Sequence, residues 1–302
     1  MTAVGHTGHS QNAADPRADR GSAAGGESPG DGATRDYVEL RGVGKTFTHG
    51  RQSRQILDDV TFSVREGEFC AIVGASGCGK SSILRVIDGL LEPDTGSVRV
   101  DGQDITGPNS QIGLVFQQFN LLPWKTVQEN IMFGLESLKV SKAVKRERCR
   151  HWMSVVGLEE WSGHYPHQLS GGMQQRVSLA RTMAREPSLV LMDEPFGALD
   201  ALTRRFLQQE VVRLWQEGKR TGILVTHDIE EGLLLADRIF VMSANPGRIA
   251  AVVDVPFEHP RDEALQATAE FAQMKEHIWH LLTAEISKSS PYVRMRNDPS
   301  DG

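Results

Sequence analysis

No stretch of this chain stays apolar over the roughly 18–20 residues that a helix needs to cross a bilayer. The longest apolar segments, such as Ala71-Ile72-Val73 and Leu189–Met192, have the length of buried strands. The N-terminus lacks an apolar signal segment, so the expected compartment is the cytoplasm. Cysteine is scarce. Cys70, Cys78 and Cys149 show no CxxC or other metal-binding spacing, and reduced thiols in a reducing compartment are expected. A basic excess is also missing: 33 Lys and Arg face 39 Asp and Glu, a formal net charge of -6. That argues against nucleic acid as the main partner, because phosphate backbones are bound by a basic face. Internal repeats are absent. The remaining composition, 39% hydrophobic and 24% charged over 302 residues, suits one large soluble domain or two small ones.

Residues 1–36 are mostly Gly, Ala, Ser, Asp, Asn and Arg, with almost no large apolar side chain. Such a segment cannot offset its ordering entropy, and a disordered tail is expected, with His6 and His9 solvated in it. Strands are predicted at Tyr37–Leu40, Val60–Val64, Phe69–Val73, Ser97–Val100, Ile112–Phe116, Leu189–Asp193, Gly222–Thr226 and Arg238–Met242. Phe69–Val73 does not alternate, the mark of a strand covered on both faces. A helix from Lys80 to about Leu91 carries Ile83, Leu84, Val86, Ile87 and Leu90 at helical spacing. Strands alternating with helices imply an α/β fold built on a mainly parallel sheet. Residues 119–170 break that rhythm with two helical patterns, Val127–Leu138 and Lys142 to about Val156, and read as a helical insert. An amphipathic helix from about Ala267 to Ala284 presents Phe271, Met274, Ile278, Leu281 and Leu282 on one side, and Lys288–Gly302 reads as a frayed end.

Five short motifs follow one another. Gly74-Ala75-Ser76-Gly77-Cys78-Gly79-Lys80-Ser81 fits GxxxxGKS between a buried strand and a helix, the context that makes this pattern a phosphate site. Its glycines let backbone N–H groups curl around phosphate oxygens, and the helix N-terminus adds unpaired donors. Lys80 is placed to reach the β- and γ-phosphates and Ser81 to coordinate Mg2+, with Ser82 assisting through phosphate contact. Leu189–Met192 leads into Asp193 and Glu194 at the C-terminal end of a strand, where open α/β sheets bind ligands. Asp193 suits Mg2+, and Glu194 suits a group that polarises attacking water. In Leu169-Ser170-Gly171-Gly172-Met173-Gln174-Gln175-Arg176, Ser170 has N-cap character and two glycines open the start of a helix, which makes a second phosphate-binding terminus. One ATP has no use for two such sites on one chain. A head-to-tail pair of chains does, with each nucleotide lying between residues 74–82 of one copy and 170–172 of the other.

These residues resemble those of the ATP-binding cassette (ABC) ATPases, the nucleotide-binding subunits of ABC transporters, and LSGGMQQR at 169–176 is the most specific match. The resemblance covers about residues 37–255. It implies a P-loop core of mainly parallel sheet with an antiparallel β subdomain and a helical subdomain, and a C-terminal extension over 256–302. It makes Gln117, after Val115-Phe116, the glutamine that senses Mg2+ and water. It makes Asp200 of Ala198-Leu199-Asp200 part of a loop that crosses the dimer interface, and His227 the histidine that contacts the γ-phosphate. Taken alone, His227 reads as a structural histidine. Phe47 falls where the family stacks an aromatic on adenine. Cys78 is filler within the phosphate loop, but its alkylation is expected to block ATP. His164 and His167, three apart, are expected to serve loop packing rather than metal.

One phosphate loop, one signature and no fused membrane span resemble an importer, whose ATPase docks on a separate permease served by an extracytoplasmic solute-binding protein. The expected place is the cytoplasmic face of the membrane, with the coupling helix docking near Gln117 and Asn120–Trp124. The Leu121-Leu122-Pro123-Trp124 segment, Val241–Ile249 and His259–Asp262 resemble the nitrate, sulfonate and taurine importer group, cues shared with carriers of pyrimidine precursors and other small anions. ABC ATPases that act on DNA or ribosomes carry a long inserted coiled coil or two cassettes, which this chain lacks. A non-hydrolysing scaffold would be expected to lose Glu194 or His227.

Overall fold

The computed structural model describes residues 35–50, 52–218 and 220–289. The tail predicted over 1–36 lies outside the described residues as far as position 34, and so does 290–302; Asp36 already belongs to the first strand. In chain order the strands are β1 (Asp36–His49), β2 (Gln52–Arg65), β3 (Phe69–Gly74), β4 (Thr95–Val100), β5 (Gln103–Asp104), β6 (Ile112–Val115), β7 (Leu189–Asp193), β8 (Thr221–Thr226), β9 (Arg238–Met242) and β10 (Ile249–Asp254). The helices are α1 (Lys80–Ile87), α2 (Val127–Gly134), α3 (Lys142–Val155), α4 (Gly171–Met183), α5 (Ala201–Gly218), α6 (Ile229–Leu235), α7 (Glu263–Gln266) and α8 (Ala269–Ser289).

Two sheets form. One is antiparallel, ordered β2-β1-β4-β5; the other runs β10-β9-β3-β8-β7-β6, with β9, β3, β8, β7 and β6 parallel and β10 antiparallel at the edge. Every residue of β3, β7 and β8 is buried, as their unbroken apolar runs require. Side chains alternate across the parallel sheet. Cys70, Ile72, Leu191 and Val225 join α1 and the antiparallel sheet in one core, whereas Phe69, Ala71, Val73, Met192 and Leu224 join α4, α5, α6 and the helical insert in the other.

Several predicted boundaries are corrected. β1 continues to His49 because its pairing with β2 slips between Leu40 and Val43, a break in register that hides the strand from a period-2 reading. Helix α1 stops at Ile87 rather than Leu91: Gly89 turns to φ 76° and lies against the Gly107 backbone where no Cβ fits, which leaves Leu90 exposed. Helix α2 ends at Gly134 rather than Leu138, and α8 runs on to Ser289. β10, an edge strand with half-exposed alternation, was not foreseen. On α8, Phe271, Ile278 and Leu282 are buried, and Met274 and Leu281 pack beside them, as its spacing predicts. No helix among the described residues is long and apolar enough to cross a membrane.

Asp88 caps the C-terminus of α1 and is only 8% exposed. Burial pushes its carboxyl up to about 6, and the Arg185 charge offsets this only in part. The folded chain therefore holds this proton more tightly than the unfolded chain. The stabilisation is complete below about pH 4 and disappears as pH rises through about 6. Asp88→Asn is expected to stabilise the fold at pH 7.5 by about 2 kcal/mol, because it deletes a buried charge at the negative end of a helix. Denaturant unfolding should show the gain shrinking as pH falls to 4; a gain independent of pH would contradict this account.

Candidate active site

The phosphate-loop sequence folds as its spacing demands. β3 delivers Gly74 from the sheet, and α1 starts at Lys80. Gly79, the residue before the helix, has φ 106° and offers no side-chain cap; a Cβ there would meet Leu57 Cδ2 at 2.7 Å and the Ile56 carbonyl oxygen at 3.2 Å. The first amides of α1 are thus left without a side-chain partner, the usual form of an anion-binding helix start. Lys80 Nζ donates to the carbonyls of Gly74 (2.8 Å) and Ala75 (3.0 Å), folding back over the loop.

Ser81 Oγ donates to Asp193 Oδ1 at 3.0 Å, so two motifs 112 residues apart meet. Asp193 is buried at the end of β7. Burial raises its carboxyl above the ordinary range; the Ser81 hydrogen bond opposes this, the Glu194 charge adds to it, and Arg85 and Lys80 oppose it. A hydroxyl and a buried carboxylate side by side are hard oxygen donors, which suit Mg2+. No group of three or more His, Cys, Asp and Glu side chains that could hold a metal occurs among the described residues. Two protein oxygens leave room in an ion's shell for phosphate and water, the usual Mg2+ arrangement.

Glu194 follows with φ 47°, left-handed backbone that non-glycine residues seldom adopt. Its N–H extends the ladder to the Val225 carbonyl at 2.9 Å. Its Oε2 accepts from Gln117 Nε2 at 3.1 Å, and Oε1 lies 3.4 Å from His227 Nδ1. Gln117 leaves β6, Glu194 leaves β7 and His227 leaves β8, so three neighbouring strand ends gather the three side chains.

The start of the signature has partners of its own. Ser170 and Gly171 are exposed at the head of α4, where Ser170 Oγ accepts from Met173 N at 3.3 Å. Among the described residues no hydrogen bond joins Ser170, Gly171 or Gly172 to residues 74–82. Asp200 Oδ1 accepts from Thr203 N at 3.0 Å at the start of α5, and this bond holds its carboxyl below the usual range. Phe47 is half exposed near the tip of the β1–β2 hairpin, opposite Arg54.

Some roles were invisible in the sequence. Gly247, in the segment read only as a subgroup cue, lies against the Cys78 backbone so closely that no Cβ fits, and its N–H donates to Ile56 O at 2.8 Å. That segment braces the phosphate loop. Arg181, half-buried on α4, donates to the carbonyls of Phe119 (3.1 Å) and Asn120 (2.7 Å), which ties the chain just beyond Gln117 to the signature helix. Asn130, fully buried, accepts from Leu122 N at 2.8 Å and donates to the carbonyls of Lys125 and Thr126 at 2.9 Å, pinning the turn that leaves Trp124 69% exposed. A long-range side-chain to backbone bond leaves no periodic trace in a sequence.

Cys78 points inward. It is 1% exposed, with Sγ 2.9 Å from where a Gly74 Cβ would sit. Burial raises its thiol, and Lys80 counters this in part. Access and thiolate are both scarce, so the native chain is expected to alkylate slowly at this position. Native protein at pH 7 should react with N-ethylmaleimide at Cys78 at least about tenfold more slowly than unfolded chain, as mass spectrometry of quenched digests would show; equal rates would refute the inward placement. His164 packs on Trp161 (centroids 4.7 Å) and His167 stacks on Tyr165 (6.0 Å), so the two rings face different neighbours.

Residues 57–197 match the ABC transporter family. The ABC transporter ATP-binding protein MJ0412 of Methanocaldococcus jannaschii is 43% identical over 252 residues, 83% of this chain and 93% of that one. The nitrate import ATP-binding protein NrtD of Synechococcus elongatus is 41% identical over 79% of this chain and 89% of its own. The aliphatic sulfonates import ATP-binding protein SsuB of Bacillus cereus is 42% identical over 77% and 92%. Among solved structures, the cassette MJ0796, described as a dimeric post-hydrolysis state bound to ADP and Pi, superposes with TM-score 0.67 at 33% identity, over 73% of this chain and all of that one. With the phosphate loop, the paired acids and the signature each in its structural setting, this chain belongs to the ABC transporter family as one of its ATP-binding, ATP-hydrolysing subunits.

Proposed function

We propose that the chain energises uptake of a small anion of the nitrate, aliphatic sulfonate or taurine type, through a separate membrane permease fed by a solute-binding protein. It acts as a homodimer held peripherally on the cytoplasmic face. The observation that carries the site assignment is the convergence of Gln117, Glu194 and His227 beside the Lys80–Ser81–Asp193 group. Residues 74–82 bind the phosphates, with Gly74, Ala75, Ser76, Gly77, Cys78 and Gly79 offering backbone and Lys80, Ser81 and Ser82 offering side chains. Phe47 stacks on adenine. Ser81 and Asp193, with Gln117 at the edge, would hold Mg2+, which when bound neutralises charge on the β- and γ-phosphates.

Glu194 accepts the proton of the attacking water. The Gln117 amide fixes one of its oxygens, and His227 stands at the other, facing solvent where the γ-phosphate is expected. The exposed Ser170–Gly172 helix start serves the nucleotide of the second copy, and Asp200 lies on the loop between the copies. The Trp124 turn, exposed yet rigidly pinned, is the docking point for the permease.

The relatives named for nitrate and sulfonate import support the cargo class. Deletion of the gene tests it: loss of growth on an alkanesulfonate or taurine as sole sulfur source, or on nitrate as sole nitrogen source, is expected, with rescue by the wild-type chain and none by Glu194→Gln. Unimpaired growth on all three would refute this cargo class and favour another small solute, such as a pyrimidine precursor.

A further inference from the structure

The turn bearing Glu194 holds left-handed backbone, so its geometry must be imposed by its surroundings. Its N–H and carboxylate have the partners described above. Its carbonyl oxygen accepts from Gln175 Nε2 at 3.2 Å, and the other half of the same carboxamide, Oε1, accepts from the Ala198 N–H at 3.3 Å. The orientation is dictated by chemistry: a carbonyl only accepts and an amide N–H only donates. Gln175 is 2% exposed, so water cannot replace either bond. It sits on α4 five residues after Ser170. One turn earlier, Gly172 lies against the same backbone, and a Cβ there would stand 3.2 Å from the Ala198 carbonyl oxygen. The helix that starts at Ser170 therefore grips both the turn of Glu194 and the loop leading to Asp200.

We propose that Gln175 is a positioning residue that makes hydrolysis at one nucleotide depend on occupation of the other. The inference rests on the active-site reading above. Ser170 meets the partner's nucleotide, and Gln175, on the same helix, sets the turn that aims Glu194 at the chain's own nucleotide. A shift of α4 on nucleotide contact is thereby delivered to the base without any contact between Gln175 and substrate.

The test uses the full chain and steady-state ATPase measurements. Gln175→Leu should lower kcat by roughly 10²-fold with KM for ATP unchanged, the effect of a base displaced by about 1 Å. Its Hill coefficient for ATP should drop from about 2 to about 1. Gln175→Glu supplies a second readout. A protonated carboxyl offers one O–H donor and one carbonyl acceptor, the pattern of the amide, whereas the carboxylate turns an acceptor toward the Glu194 carbonyl. The ratio of its kcat to that of the wild type should climb as pH falls from 8 to 6, while the ratio for Gln175→Leu stays flat. Wild-type kcat and cooperativity in Gln175→Leu, or a pH-independent ratio in Gln175→Glu, would overturn the proposal. Binding of a fluorescent ATP analogue checks that both variants fold, and should Gln175→Leu fail to fold, the pH series on Gln175→Glu decides. Normal turnover by Glu194→Gln would instead sink the underlying site assignment, so the two failures are distinguishable.

Discussion

Glu194→Gln will bind ATP as tightly as the wild-type chain and hydrolyse it about 10²–10⁴ times more slowly, the range for loss of a general base. The substitution keeps shape and reach, so the turn set by the Val225 and Gln175 hydrogen bonds stays in place. Only the proton acceptor is removed. Asp193 cannot substitute for it, because it is buried and its carboxylate accepts from Ser81. With hydrolysis stopped and binding intact, the variant should accumulate as an ATP-bound dimer, measurable by light scattering or gel filtration with ATP present. Turnover at the normal rate would remove Glu194 from the role of base. A variant that is slow but never dimerises would keep the base and remove the closed pair from the scheme.

The second large effect concerns which chain supplies which half of the site. Lys80 and Ser170 are each expected to be required, yet within one chain Lys80 bonds the phosphate loop and Ser170 Oγ bonds only the Met173 amide of its own helix among the described residues. Take dimers in a Glu194→Gln background, where trapped ATP can be counted after rapid removal of free nucleotide. If one copy carries Lys80→Ala and the other Ser170→Arg, both lesions fall in the same composite site, and one ATP per dimer should remain trapped. If a single copy carries both lesions and the other none, each site is damaged once, and no ATP should be trapped. The contrast should amount to at least about tenfold in retained nucleotide, since a lost charge-assisted phosphate contact weakens binding by about 1.5–3 kcal/mol. The opposite pattern would show that each nucleotide is held by one chain alone.

Much of the site was legible because its chemistry is written in adjacent residues. The strand-turn-helix context of Gly74–Ser81 follows from a buried apolar run, glycines and a helical period, and the structure reproduces it with Gly79 left-handed before α1. The Leu189–Asp193 strand and the Ser170 cap are equally local, and both fall where the sequence puts them. Less was legible where tertiary contacts override local pattern. The slip in β1 hid most of a 14-residue strand, and Gly89 ended a helix that the apolar period continues. Gln175 is legible only as one residue of the signature and Arg181 as a polar member of a helix, and only their bonds to the Glu194, Ala198, Phe119 and Asn120 backbones show what they hold.

By itself the sequence determined the strands and helices of the α/β core, the strand-turn-helix setting of residues 74–81 and the class of chemistry, because apolar periodicity, turn residues and short motifs act over a few neighbours. The tertiary structure alone decided that Gln117, Glu194 and His227 meet, that Gln175 grips the Glu194 turn, and that Cys78 and Asp88 are buried. These facts depend on which strands lie side by side and what covers each face, and burial and sheet order are properties of the whole packed chain that no local run of residues encodes.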